Sequence, residues 1–369
     1  MPSERKAAVA RAGAILEIDL RAVTANWRRL KRELAPAVRM AAVVKADAYG
    51  LGVAQVGPVL AKAGCELFFV ASLDEGIVLR RVLPKASIAI LDGVLAGSET
   101  DFARARLIPV LNELGQVVRW GKAYPRRPAI LHIDTGMERL GLSHVEVDRL
   151  TANPALLARI NLAAIMSHLA CADEPDHPKN PEQLARFRGA LTRLPRAPAS
   201  LASSSAIFLD PAYHFQIVRP GAALFGINPL PGKPNPMRAT VALRARILQV
   251  RDVDAGETVG YGATHRMERS SRIATIAVGY ADGWLRSASD RGSAAIAGRR
   301  VPVVGRISMD LLTLDVTGIE ADRAKPGAYV DLLDDTYGID DAAEAAGTIG
   351  YELLTLLGRR YARVYRGAR

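Results

Sequence analysis

Residues 38–52 read VRMAAVVKADAYGLG. The apolar run Val38–Val44, rich in valine, ends on Lys45, and Tyr49, Gly50 and Gly52 follow. A short apolar run of this kind predicts a strand, and alternation of such runs with helical patterns implies a parallel sheet. Seven similar runs come after it: Leu67–Ala71, Ser87–Leu91, Leu107–Leu111, Ala129–Ile133, Leu162–Ser167, Ala199–Ala202 and Phe215–Val218. Helical patterns lie between most of them. Val23, Trp27, Leu30 and Leu34 mark one helix face, with Asp19 as its N-cap; Leu184, Phe187, Leu191 and Leu194 mark another. Eight strand–helix units between residues 15 and 225 predict a (β/α)8 barrel of TIM type. On pattern alone a doubly wound open sheet is the alternative.

The texture changes after Asn228–Asn235 (NPLPGKPN), a link rich in proline and glycine. Val241–Val250, Ile273–Val278, Ala294–Ala297, Val301–Val304, Thr313–Val316 and Tyr329–Leu333 read as strands, punctuated by Gly and Pro at hairpin-like intervals. The expected class is α/β: an N-terminal barrel over residues 15–235, then a mostly-β domain over residues 236–369 that takes in part of residues 1–14. Two readings stay open for Ala14–Ile18, which either begins the barrel or adds a strand to the β domain.

Composition narrows the classes. A chain of 369 residues, 49% hydrophobic and 24% charged, suits a soluble globular protein with a large core. Two cysteines, Cys65 and Cys171, make no disulfide framework and lack metal-ligand spacing, so no metal is expected. No apolar run is long enough to span a membrane, and MPSERKAAVARAGA at the start lacks the apolar region of a signal peptide. A cytoplasmic protein follows. The charge is 49 − 38 = +11, densest at Arg359, Arg360, Arg363, Arg366 and Arg369. No nucleic-acid-binding pattern accompanies it, and an anionic small molecule accounts for a positive field equally well.

A barrel enzyme works at the C-terminal ends of its strands. Lys45 follows the first predicted strand, Asp134 and Arg139 the fifth, His168 the sixth, Ser204 and Ser205 the seventh, and Arg219 the eighth. Any one of these marks no more than the place where a strand meets water; together they would ring one mouth. A lysine in a partly dry setting has a lowered pKa and can form a Schiff base. Ser205 and the turn RPGAALFG after Arg219 can offer N–H groups to a phosphate, without P-loop or Rossmann spacing. In the β half, VGYGATH around Tyr261, VGYADGW around Tyr280 and GRISMD around Met309 and Asp310 are polar breaks in apolar sequence.

These motifs, with HIDTGMERLG, SHLACAD and GYELLT, resemble in kind and order those of the alanine racemases, pyridoxal phosphate (PLP) enzymes of fold type III, from residue 43 to residue 355. The resemblance implies a barrel plus a β domain, alanine as substrate, and a head-to-tail homodimer in which each active site is completed by the partner's β domain. It implies that Lys45 holds PLP covalently and that Tyr261, from the other subunit, is the second base. Arg219 would face the pyridine nitrogen and His168 would pack near the cofactor ring, linked to the catalytic tyrosine. Tyr49, Ser205, Gly221, the backbone of Ala222 and Tyr351 would hold the phosphate. Arg139 and the Met309 N–H would meet the substrate carboxylate, and Tyr280 would line the pocket and its entry.

Two positions depart from the family pattern. A lysine, carbamylated so as to orient the arginine, often stands two residues before the aspartate of DTGM; here it is His132. Histidine carries no stable carbamate, so His132 is expected to be neutral, with chloride, water or a carboxylate, Asp134 being nearest in sequence, supporting Arg139. Ser204 stands where the family often has Asn, and its shorter side chain is expected to leave one contact near the phosphate to water.

Racemisation needs two bases on opposite faces of Cα. Lysine and tyrosine, with ordinary pKa values of about 10.4 and 10, must both be shifted towards neutrality. An arginine at the pyridine nitrogen leaves that nitrogen unprotonated and the electron sink weak, which favours racemase over decarboxylase or transaminase. The alternatives are a decarboxylase of the same fold, a racemase of serine, lysine or arginine, a non-catalytic PLP carrier, and a structural or nucleic-acid-binding protein. The β half with Tyr261 and Met309 speaks against the carrier.

Overall fold

The computed structural model describes residue 7 and residues 9–367; Arg369 of the basic tail and the first six residues lie outside them. The chain forms two units, Val23–Arg238 and a second built from the described residues up to Ala22 together with those from Ala239 onward.

The first unit holds nine parallel strand pieces: β2 (Arg39–Met40), β3 (Ala42–Val43), β4 (Leu67–Val70), β5 (Ser87–Ile90), β6 (Ile108–Leu111), β7 (Pro128–His132), β8 (Asn161–Met166), β9 (Ala199–Ser200) and β10 (Ile217–Val218), with β1 (Ala14–Asp19) in the other unit. The pieces run in spatial order from β10 beside β2 round to β4 beside β3. Since β2 and β3 are successive parts of one stretch, the sheet closes on itself. Ala41 N–H donates to Val218 O at 2.9 Å on one side and Val44 N–H to Phe69 O at 2.8 Å on the other. The interior is filled by Ala41, Leu67, Phe69, Ala89, Val110, Ile130, Ala164, Met166 and Ile217. Neighbours on the same strands, such as Phe68, Ile88 and Leu131, are also buried. Burial on both faces is why these strands read as continuous apolar runs.

Local signals set the helix ends. The Asp19 carboxylate accepts from the N–H groups of Arg21 (2.7 Å) and Ala22 (3.2 Å), capping the helix Leu20–Lys31. Ser143 and Glu146 form a reciprocal capping box on His144–Ala152, and Glu146 also accepts from Leu114 N–H at 2.9 Å. The proline-rich link is tied down: Asn235 donates to Gly226 O and Asn228 to Lys233 O, both at 2.8 Å. Asn26, buried in the first helix, accepts from Arg238 N–H at 2.8 Å and donates to the carbonyls of Arg238 (2.9 Å) and Leu224 (3.3 Å).

The second unit centres on β11 (Val241–Val253), which pairs antiparallel with β1 and β18 (Tyr329–Leu333). Beyond a bulge between Ile247 and Gln249 it pairs with β14 (Ser271–Ile276), which pairs in turn with β17 (Leu312–Asp315). A hairpin joins β15 (Ser293–Ile296) to β16 (Arg299–Pro302), and β12 (Thr258–Val259) pairs with β13 (His265–Arg266). Ala14–Asp19 is therefore a strand of this sheet. Its other edge carries β19 (Ala362–Arg366), a parallel strand drawn from what sequence marked only as a basic tail. There Arg366 pairs with Glu17, which also meets Arg244. Among the described residues no helix is long and apolar enough to cross a membrane.

Asn26→Ala should lower stability by about 1–3 kcal/mol, since it leaves the part-buried Arg238 N–H and two carbonyls without their partner. Urea unfolding should show the drop as a lower midpoint at unchanged slope; an unmoved midpoint would deny the side chain its part in anchoring the link.

Candidate active site

Lys45 begins the loop beyond β3, and the next four residues, Ala46, Asp47, Ala48 and Tyr49, all have φ between 53° and 58°. One left-handed turn of non-glycine residues costs roughly 1–2 kcal/mol per residue. Its hydrogen bonds explain how it persists. Glu75 accepts from Ala46 N–H and Ala71 N–H, each at 2.7 Å, and Asp47 accepts from Val53 N–H at 2.7 Å. Gly50 N–H donates to Ala46 O at 2.7 Å and Gly52 N–H to Asp47 O at 2.8 Å. Burial lowers the Lys45 pKa, and the nearby Arg139 cation lowers it further, against opposing pulls from Glu75 and Asp92.

Arg219, buried after β10, donates to Ser167 O (2.7 Å) and to Ser200 Oγ, with a long contact of 3.4 Å to His168 Nδ1. Its partners are neutral, and burial pulls its pKa down to about 10, which leaves it charged at neutral pH. His168 is pushed down to about 3, by loss of water first and then by Arg219, Arg139, His132 and Lys45. Its Nδ1 thus accepts, and the proton of the neutral ring sits on Nε2. His132 Nδ1 lies 2.8 Å from Asn112 Oδ1, while Asn112 Nδ2 donates to Leu91 O at 2.8 Å. The amide oxygen is therefore the acceptor, so His132 Nδ1 carries the proton and Nε2 bears the lone pair. Burial, then Arg219, brings the His132 pKa to about 4, so the ring is neutral at physiological pH.

Arg139 is exposed on the loop after β7. Asp134 supports that loop through its backbone: the carboxylate accepts from the N–H groups of Gly136, Met137 and Glu138, each at 2.9 Å. Buried Gln183 joins the loop to the end of β8, donating to His168 O (2.9 Å) and Thr135 Oγ1 (3.2 Å) and accepting from Ala170 N–H (2.8 Å). The ring of buried Tyr49 lies 4.8 Å from that of Phe225. A Cβ on Gly221 would fall 2.3 Å from Tyr49 Oη, so only glycine lets this backbone lie beside that hydroxyl. Ser205 and Ala222 are buried and each begins a 3-10 turn, Ser205–Phe208 and Ala222–Phe225. Ser204 Oγ accepts from Gly221 N–H (3.1 Å) and Ala223 N–H (3.2 Å), fixing the second turn.

In the second unit three motifs form one block. Tyr280 N–H donates to Ser308 O (3.0 Å) and Ala281 N–H to Met309 O (2.9 Å). A Cβ on Gly279 would meet both carbonyl oxygens at 2.4 Å, so glycine is required for this approach. Arg360 bridges the motifs, its Nε 3.1 Å from Asp282 and its Nη1 2.7 Å from Asp310. Tyr261, Met309 and Tyr280 are 71%, 54% and 42% exposed. Tyr351, at the start of the helix Gly350–Leu356, is also exposed.

Sequence reasoning missed Glu75, Asn112, Gln183 and Arg360. Glu75 was open to discovery, because Ser72–Glu75 has capping-box spacing and Ser72 does accept from Glu75 N–H at 3.4 Å. The others have no local signal.

Residues 18–229 match the alanine racemase N-terminal domain and residues 240–365 the alanine racemase C-terminal domain. An alanine racemase of Rhodospirillum rubrum is 50% identical over 364 residues, covering 97% of each chain. A catabolic alanine racemase of Mesorhizobium japonicum is 47% identical over 363 residues, covering 97% of this chain and 94% of its own. The crystal structure of an alanine racemase from Bartonella henselae with covalently bound PLP superposes with a TM-score of 0.92, at 40% identity, over 96% of this chain and 99% of that one.

A histidine buried neutral disfavours the native state in acid. The unfolded chain takes up a proton near pH 6.5 that folded His132 refuses until about pH 4. Stability should therefore fall as pH drops through this window, by on the order of 3 kcal/mol from this residue. Melting temperature against pH should slope less steeply in His132→Leu; an identical slope would show that His132 does not titrate this way.

Proposed function

The chain belongs to the alanine racemase family, and from that premise we propose that Lys45 and Tyr261 are its two bases, one on each face of the substrate's Cα. The activity is the PLP-dependent interconversion of L-alanine and D-alanine. PLP, when bound, supplies a sink for the electron pair left at Cα when the proton departs.

The residues of the barrel fit that cofactor. The observation that carries the assignment is Lys45 itself: it stands at the end of the first barrel strand, where burial and Arg139 lower its pKa in the direction a Schiff-base lysine needs. Arg219 is a fixed cation that can only donate, which suits an unprotonated ring nitrogen. The close approach of the Gly221 backbone to Tyr49 Oη, with Ser205 and the Ala222 N–H, suits a phosphate, and Tyr351 would complete that set. His168, held neutral, would pack near the cofactor ring without repelling the base.

In this reading Lys45 Nζ takes the Cα proton of D-alanine and Tyr261 Oη that of L-alanine, and each returns it in the reverse direction. Arg139 and the Met309 N–H orient the substrate carboxylate, and Tyr280 closes the pocket against larger side chains. The working assembly is a cytoplasmic homodimer in which the partner supplies Tyr261, Met309 and Tyr280. The exposure of these three side chains supports a surface that is covered in the active form.

Tyr261→Phe should retain PLP, judged by absorbance, and lose racemisation by at least about 10²-fold, the lower value of general-base catalysis. A loss of only a few-fold would exclude it as the base.

Lys45→Ala and Tyr261→Phe proteins, each inactive alone, should recover activity when mixed under subunit exchange, because one site of each mixed dimer is then intact. Proven exchange with no recovery would refute the shared site.

A further inference from the structure

We propose that Asp290 is a positioning residue, a carboxylate clamp that sets the distance between the Tyr261 turn and the Met309 segment. The proposal rests on the reading of Tyr261 as a base and of the Met309 N–H as a substrate contact. One carboxylate oxygen, Oδ1 of Asp290, lies 2.8 Å from His265 Nδ1 and accepts the Gly305 N–H at 2.6 Å. His265 comes four residues after Tyr261, at the foot of the β12–β13 hairpin; Gly305 comes four residues before Met309. The two functional segments are thus held at equal chain distance from a single atom. An ionised carboxylate is acceptor only, so His265 Nδ1 must carry a proton and donate it. Bonds of this kind to an ionised acceptor are short and strong.

The surroundings make the clamp specific. Ser289, next in the chain, accepts Ile307 N–H at 2.9 Å, so one turn holds the second segment at two points. The backbones touch: a Cβ on Gly305 would lie 2.7 Å from Val259 O, and one on Gly260 would lie 3.1 Å from Arg306 N. A Cβ on Gly262 would lie 2.6 Å from Arg306 Nη1, so the guanidinium lies against the turn that carries Tyr261. Asp290 itself sits at φ 56°, a left-handed conformation that a non-glycine residue keeps only where its surroundings hold it. Without the carboxylate, Gly305 N–H loses its acceptor and the hairpin foot its anchor. The Tyr261 turn then keeps its contacts with Arg306 but loses the bond that fixes its distance from the Met309 segment. A displacement of about 1 Å at a reacting group costs up to about 10²-fold in rate.

The test uses holoenzyme and D-alanine in deuterium oxide, reading exchange of the Cα proton and conversion to L-alanine together. Lys45 alone suffices for exchange at D-alanine, whereas conversion needs Tyr261 in place. Asp290→Ala should raise the ratio of exchange to conversion by about tenfold or more. Asp290→Asn keeps the acceptor oxygen and should stay within about threefold of the wild-type ratio. His265→Ala frees only the hairpin arm and should raise the ratio too, which covers the case that Asp290→Ala does not fold. Tyr261→Phe, measured alongside, should raise it most. If Tyr261→Phe raises the ratio while Asp290→Ala and His265→Ala do not, the clamp is refuted and the base assignment stands. Loss of both rates in parallel with a lower melting temperature would mark Asp290 as merely structural and also refute the clamp. An unchanged ratio in Tyr261→Phe would remove the base assignment, and the clamp with it.

Discussion

The barrel mouth is organised around a cation, Arg219, that meets no anion among the described residues. Arg219 is buried and charged, yet its partners are a serine hydroxyl, a backbone carbonyl and a histidine nitrogen. An unpaired buried charge costs several kcal/mol unless its protons are met by good acceptors. Those acceptors stand at the ends of β8 and β9, and Arg219 itself follows β10, so three neighbouring strands must keep their register for the charge to be tolerated. The same cation helps to hold the rings of His132 and His168 neutral. The mouth therefore sets the positive charges of Arg219 and Arg139 beside two uncharged rings, and the Lys45 pKa is lowered there by burial and by Arg139.

The second constraint is strain beside Lys45. A left-handed turn of Ala46, Asp47, Ala48 and Tyr49 is unfavourable for every one of those residues. The carboxylates of Glu75 and Asp47 and the turn's own backbone bonds oppose that cost. The result brings Tyr49 back under Phe225 and against Gly221, while Lys45 stays at the strand end. Strain of this sort persists where surrounding structure over-determines the backbone, and it concentrates at functional sites. His132 shows another solution to a local demand. The hydrogen bond to Asn112 settles its tautomer, and Asp134 supports the Arg139 loop through three backbone N–H groups with no direct grip on the guanidinium.

In the β unit the organising groups are carboxylates held by cations and N–H groups. Asp282 and Asp310 share Arg360, and Asp290 shares one oxygen between His265 and Gly305. These contacts join three loops in which the apolar side chains of Val278, Trp284, Val304 and Ile307 are buried. They leave Tyr261, Met309 and Tyr280 uncovered.

Much of this was legible in the residues. The apolar runs named the barrel strands because a strand buried on both faces needs no polar alternation, and Leu67–Val70 and Ser87–Ile90 lie where the runs predicted them. Asp19 caps its helix, since capping is settled within three residues. Lys45, His168 and Arg219 do follow their strands. Other features had no local signature. Ser167 is 52 residues from Arg219, Asn112 is 20 from His132, and Gln183 is 15 from His168. Arg360 belonged to a basic tail until folding set it between two aspartates. Ala14–Asp19 had the pattern of a strand for either unit; the exposed N–H and C=O edges of β11 and β19 decided which. The sequence by itself determined the elements, their order and the polar residues at their ends, because periodicity and capping act over a few residues. Only the tertiary structure decided which groups meet, because strand register and burial, acting between residues far apart in the chain, set the distances, tautomers and pKa values of the site.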